Sequence, residues 1–279
     1  MVQINPLGDH AGAEAVGIDL REPLDENTRR RLNDALVEHV ALVVRNQTLT
    51  AGEFVRGLRV FGEPMKQNFT DYRHKDEELV NLVSNTFPAK SGERVYYSNY
   101  WHTDHTNHEE PPKYTALYAV ELPRSGGGDT GIVNMRAAYE RLPVSLRDRI
   151  AGLRTVNVFQ GSASRKKSAR YGVSRRAIDD TPVIHPLVRT HPENGSKAIY
   201  LHQGKLEQFV GMSPEESQAL VEELMNAAVQ PELVYRHKWR SGDILIWDDR
   251  STMHMAYADY DLKETRTLYR VLIRGDKPY

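Results

Sequence analysis

The stretch DILIWDDRSTMHMAYADYDLKETRTLYRVLI, residues 243–273, decides how this chain folds. It opens on a short apolar run, turns through a polar DDRS and returns as a second short run around His254. The segment TRTLYRVLI, residues 265–273, then alternates. Successive side chains of a strand point to opposite faces, so Arg266, Leu268, Arg270 and Leu272 share one face. Short strands joined by tight polar turns point to antiparallel pairing, not to a parallel α/β sheet.

Working outward, the same texture recurs. ALVVR (41–45), YTALYAVEL (114–122), GIVNM (131–135), TVNVFQ (155–160), KAIYLHQ (197–203) and ELVYRHKW (232–239) read as strands, and RSGGGDT (124–130) as a turn. Helical spacing marks DENTRRRLNDALVEHV (25–40) and TAGEFVRGLRVFG (50–62), the latter opened by Thr50 with Glu53 three residues on. RAAYERLPVSLRDRIAGL (136–153) is helical with a break at Pro143. SPEESQALVEELMNAAV (213–229) carries Ser213 as cap, Pro214 at its first position and Glu216 closing the box. Many short strands with a few helices outside predict a mainly β fold, a β-sandwich or a jelly roll, with residues 1–279 as a single domain.

Composition narrows the function. The chain of 279 residues has 39% hydrophobic and 27% charged residues and a net charge of −1. No overall field draws it to nucleic acid or to an anionic membrane. The start MVQINPLGDH lacks a basic and apolar leader, and no apolar run is long enough to span a bilayer, so a cytoplasmic protein is expected. There is no cysteine, which excludes disulfides, thiolate zinc and iron–sulfur clusters. Any metal must be held by nitrogen and oxygen. No GxGxxG or Walker loop is present. The segment QGSASRKKSARYGVSRRAIDD, residues 160–180, is Ser/Gly-rich and carries six basic side chains. A loop of that length reads either as a mobile lid or as a solvated excursion.

The chain has 11 histidines, three of them within residues 102–108. Iron sites that activate dioxygen commonly use two histidines and one carboxylate on one face of the metal. A His-x-Asp pair on extended chain can present both groups to one ion. Four His-x-acid pairs occur here: His74/Asp76, His102/Asp104, His108/Glu110 and His191/Glu193. His74 lies in a charged run and His191 in the turn-like RTHPENG, and both are expected to be solvated. His102 and Asp104 follow Trp101 and precede an apolar strand. A third ligand is available from His254, between two methionines after a buried strand. His105 and His108 are expected to be structural. Two arginines projecting with apolar residues from one strand face need anionic partners, because an unpaired buried charge is costly. Four residues of strand separate them by roughly 13 Å.

The ordered set WHTD…GGDT…RAAYERLP…HPLVRTHP…WDDRSTMHMAYADYD…TRTLYRVLIRGDKP, begun by INPLGDHAGAEAVGIDL, resembles the Fe(II)/2-oxoglutarate-dependent taurine dioxygenase and dichlorophenoxyacetate dioxygenase family over nearly the whole chain. The resemblance implies a double-stranded β-helix with His102, Asp104 and His254 as iron ligands and catalytic centre. It implies Thr130 and Arg266 at the remote carboxylate of 2-oxoglutarate, and Arg270 at an anionic group of the primary substrate. Dioxygen is the second cosubstrate, with succinate and CO2 as co-products. Related halogenases carry a small residue where this chain has Asp104, so the resemblance implies hydroxylation. Relatives are often dimers or tetramers, so the resemblance implies a homo-oligomer.

The substrate implied is small and anionic: a sulfonate, a sulfate ester or a carboxylate. In the taurine enzymes a histidine and a tyrosine after the FGE segment hold the sulfonate and amine. Here FGEPMKQNFTDY places Gln67 and Thr70 there, a departure from the taurine pattern. Tyr72, Tyr97 and Asn99 are further pocket candidates. Two other readings compete: a jelly-roll protein whose metal is structural or regulatory, and a cupin-like hydrolase or isomerase, which leaves Thr130 and Arg266 without a task.

Overall fold

The computed structural model describes residues 2–67, 70–87, 93–164 and 181–279. Residues 165–180, most of the segment expected as a lid, lie outside the described residues.

The largest sheet has eight strands: β1 (Gln3–Pro6), β2 (Ala13–Val16), β3 (Ala41–Val44), β4 (Pro64–Met65), β5 (Asn81–Ser84), β6 (Tyr114–Glu121), β14 (Ile244–Asp248) and β16 (Thr267–Ile273). Its order is β1-β2-β3-β14-β6-β16-β4, with β5 also on β16. A three-stranded sheet faces it, in the order β13 (Val234–His237), β7 (Thr130–Asn134), β15 (Thr252–Ala256). A second three-stranded sheet places β8 (Arg154–Asn157) between β9 (Val183–Pro186) and β12 (Leu206–Phe209), and β10 (Val188–Thr190) pairs β11 (Lys197–Ile199). Except for β2 with β3, all these pairs are antiparallel.

Period-2 alternation sorts the large sheet into two faces. Tyr114, Ala116, Ile244, Ile246, Val271 and Ile273 pack outward under helices α1 (Glu26–His39) and α2 (Ala51–Leu58). Leu117, Ala119, Leu245, Trp247 and Leu268 point inward, where Ile132 of β7 meets them. The remaining helices, α3 (Met135–Arg141), α4 (Val144–Ile150) and α5 (Pro214–Ala228), cover the other sheets through a third core. Arg266, Leu268 and Arg270 are therefore delivered to the interior by the alternation read in TRTLYRVLI.

The caps follow the sequence. Thr50 and Ser213 each accept from the backbone N–H of the glutamate three residues on, in complete capping boxes. α3 ends before Pro143, and Leu142 is extended, as a residue preceding proline prefers. KAIYLHQ is strand only through Ile199. The backbone N–H groups of Lys205 and Leu206 both reach His202 O, at 3.0 Å each, and this turn pulls His202 out of any ladder. No described helix is long and apolar enough to cross a membrane.

Candidate active site

β15 carries His254 inward, and the WHTD segment zips onto it. His102 N donates to His254 O at 3.0 Å, and His254 N returns the bond to His102 O at 2.7 Å. Asp104 follows two residues later, so one ligand atom from each of His102, Asp104 and His254 lies within 4.8 Å of the others, all three side chains buried. Among the described residues this is the one such cluster. His105 and His108 stay out of it and stack on each other, with ring centroids 4.9 Å apart.

The donor set suits a divalent cation. Burial pushes the His102 and His254 imidazoles below their ordinary range, which leaves them neutral with a lone pair to give. His102 Nδ1 lies 2.7 Å from Tyr100 O, so that nitrogen holds the hydrogen and Nε2 offers the lone pair. His254 Nδ1 is buried and meets no hydrogen-bond partner among the described residues, lying 4.0 Å from Asp249 Oδ1. Burial alone would raise Asp104, but the surrounding imidazoles and Arg270 hold it far below the carboxylate range.

Behind Asp104 stands a second acid that sequence reading did not single out. Thr115 Oγ1 lies 2.9 Å from Asp104 Oδ2 and 2.6 Å from Asp249 Oδ2. A hydroxyl has one hydrogen, so it cannot donate to both. Burial and the charge of Asp104 raise Asp249 well above the carboxylate range, so Asp249 is the group that holds a proton and returns it to Thr115. Asp249 Oδ1 accepts from Trp247 Nε1 at 3.0 Å. The only sequence signal was the inward alternation of β6 and β14.

Arg266 is 5% exposed, and its Nε donates to Gly128 O at 2.8 Å. Its outer nitrogens have no carboxylate partner among the described residues, and burial pulls the guanidinium down to about 10. Asn85, Tyr96, Tyr97, Ala256, Tyr257 and Tyr260 line the cavity with it. Gly128 sits at φ +67°, and a Cβ there would lie 2.7 Å from Arg266 Cδ, so the GGD turn needs glycine at this point. Thr130 is buried on β7, opposite Ala256 of that cavity. Arg270 Nε donates to Gln67 Oε1 at 2.9 Å, and Gln67 Nε2 to Arg270 O at 3.2 Å.

The other candidates are placed as follows. Tyr97 donates to Phe87 O at 2.5 Å, Tyr72 packs edge-on against Phe87 at 5.0 Å, and Asn99 is exposed. Tyr100 and His202, which the sequence did not mark, have ring centroids 4.9 and 5.2 Å from that of His102. Lys205 follows on the same turn as His202 and helps hold the His202 imidazole low, after burial and His102.

One expectation is corrected. His191 is not solvated: it is 1% exposed, with Nε2 2.9 Å from Asp248 Oδ2. Arg250 grips both oxygens of Asp248 and reaches Glu193 Oε1 at 2.7 Å, and Glu193 follows His191 by two residues. His191 is thereby folded inward onto the turn between β14 and β15, while residues 192–195 stay exposed.

A model of the taurine catabolism dioxygenase TauD, TfdA family matches residues 3–272. The chain belongs to the TauD/TfdA dioxygenase family. The 2,4-dichlorophenoxyacetate dioxygenase of Cupriavidus pinatubonensis is 32% identical over 288 residues, covering 99% of this chain and 98% of its own. The sulfate ester dioxygenase of Pseudomonas putida is 31% identical over 284 residues, covering 99% of this chain and 91% of its own. Among solved structures, a taurine dioxygenase from Burkholderia xenovorans superimposes with a TM-score of 0.83 at 34% identity, over 99% of this chain and 90% of that one. The jelly roll is thus the TauD/TfdA jelly roll.

Proposed function

We propose that this chain couples the oxidative decarboxylation of 2-oxoglutarate to hydroxylation of a C–H bond in a small anionic substrate, with succinate and CO2 as co-products. The reading takes residues 1–279 as one dioxygenase domain, working in the cytoplasm. The observation that carries it is the buried Arg266, which among the described residues forms no ion pair, in the same interior as His102, Asp104 and His254. A structural metal site would leave that guanidinium with nothing to neutralise.

His102, Asp104 and His254 would hold Fe(II), which would supply the one-electron chemistry that dioxygen needs. The chain's own groups do the rest. The neutral imidazoles and the ionised Asp104 form a donor set of net charge −1. The Thr115–Asp249 pair fixes which way the Asp104 carboxylate faces. Arg266 and Thr130 receive the remote carboxylate of 2-oxoglutarate through charge-assisted contacts in a low-dielectric pocket. Arg270, steadied by Gln67, receives the anionic group of the primary substrate. Tyr97 lines the small cavity beside Arg266.

The relatives named above act on an aryloxy carboxylate and on sulfate esters, which are the anions this reading expects. The test is a screen of small sulfonates, sulfate esters, aryloxy acids and amino acids for substrate-stimulated succinate release. One anionic class should stimulate release while its neutral analogue does not. Equal stimulation by charged and neutral analogues would overturn the anionic-substrate reading.

A further inference from the structure

Thr130 occupies the central strand of the three-stranded sheet, between His237 of β13 and Ala256 of β15 in register. Cross-strand partners share a face, so Thr130 points into the roll with Ala256. The side chain is 2% exposed, and its Oγ1 takes a hydrogen bond of 3.1 Å from Trp239 Nε1. An indole N–H only donates, whereas a threonine hydroxyl has one hydrogen and two lone pairs. Thr130 is therefore fixed as the acceptor in that bond, and its own hydrogen is turned away from the indole. Among the described residues that hydrogen meets no acceptor.

The indole is itself held in place. Its ring stands on His237 at 4.5 Å with an interplanar angle of 89°. His237 lies 3.0 Å from Tyr235 Oη through Nδ1 and 3.2 Å from Asp243 Oδ2 through Nε2. Asp243 is anchored by Arg45 Nη1 at 2.6 Å. A part-buried run of contacts thus leads from Arg45 to Thr130 and ends on one uncommitted hydroxyl hydrogen.

We propose that Trp239 is a positioning residue for the cosubstrate: it commits the Thr130 hydroxyl to donate to the carboxylate that Arg266 neutralises. This rests on the cosubstrate reading given above. Without the indole N–H, the hydroxyl rotor can turn its hydrogen elsewhere, and the carboxylate loses a pre-set donor.

The test measures 2-oxoglutarate binding by calorimetry to the full chain loaded with Mn(II), so no turnover is involved. Trp239→Phe keeps an aromatic ring on His237 and removes the donor. Benzothienylalanine at position 239 does the same with the shape of the indole preserved, should the phenylalanine variant fail to fold. Each should weaken 2-oxoglutarate by about 3- to 10-fold, the effect of one neutral hydrogen bond. Thr130→Val should weaken it equally, and the double variant no further than Thr130→Val alone. Apparent affinity for the primary substrate should not move. Unchanged binding in both position-239 variants, or additive losses in the double variant, would overturn the role of Trp239. Arg266→Ala separates the two levels. If it and Thr130→Val bind as the parent does, the cosubstrate reading has failed; if they weaken while position 239 is silent, only this inference has.

Discussion

Asp104 and Asp249 occupy the same buried spot and are driven to opposite charge states. Asp104 has cationic and imidazole neighbours, whereas Asp249 has the Thr115 hydroxyl, an indole N–H and the charge of Asp104. The two acids therefore respond differently to substitution. Asp104→Ala, His102→Ala and His254→Ala should each abolish most Fe(II) binding, whereas His74→Ala should not. Metal content after equilibration with Fe(II) under argon checks this, and full loading of His254→Ala would remove it from the ligand set. Asp249→Asn keeps an acceptor for Trp247 and a donor for Thr115, so metal binding should persist. Asp249→Ala leaves both partners unsatisfied and should lose ~1–3 kcal/mol of stability in denaturant unfolding. Equal loss in the two variants would show that the hydrogen bonds are not what matters there.

At the scale of elements, β16 and the residue that leads into it send Arg270 and Arg266 to one side, and their neighbours set them apart. Arg266 faces Gly128 and a tyrosine-lined cavity, while Arg270 is tied to Gln67. Losing a charge-assisted contact costs a few kcal/mol, so Arg266→Ala should weaken 2-oxoglutarate by on the order of a hundredfold. Arg270→Ala should leave anaerobic 2-oxoglutarate binding close to that of the parent and uncouple succinate release from hydroxylation. A comparable loss of 2-oxoglutarate affinity in both variants would sink this division. The turn between β14 and β15 makes a further prediction. His191 and Arg250 both satisfy Asp248, so His191→Ala should destabilise the fold by ~1–3 kcal/mol while the metal still binds. Thermal melting beside a metal titration separates these outcomes.

For the whole molecule, the histidines set the response to acid. Burial depresses His105, His108, His185 and His237, the first to about 3. In each, the folded chain binds the proton less well than the unfolded chain. Their contribution to stability is therefore complete above an unfolded pKa of about 6.5 and is lost as pH falls below it. For His105, whose folded value lies near 3, the loss approaches ~1.4 kcal/mol per pH unit, and the part-exposed His108 contributes less. The metal-free protein should show a melting temperature that is flat near pH 7.5 and falls steeply from about pH 6 downwards. A melting temperature that held level to pH 5 would contradict the buried neutral histidines.

Local rules were legible because they are written over a few residues. The alternation of TRTLYRVLI, the boxes Thr50–Glu53 and Ser213–Glu216 and the stop at Pro143 depend on chain geometry within one or two turns, and the structure keeps all of them. That Arg266 and Arg270 share a face followed from period 2 alone; that the face is the inner one came from the packing. What spacing could not decide was which distant groups meet. Four His-x-acid pairs have the same local pattern, yet only His102/Asp104 is pinned to β15 by paired backbone bonds across 152 residues. The neutral Asp249, the buried His191 and the indole donor at Thr130 arise where strands far apart in the chain come into register. There, burial and the count of donors against acceptors, both products of the tertiary fold, determine charge and orientation.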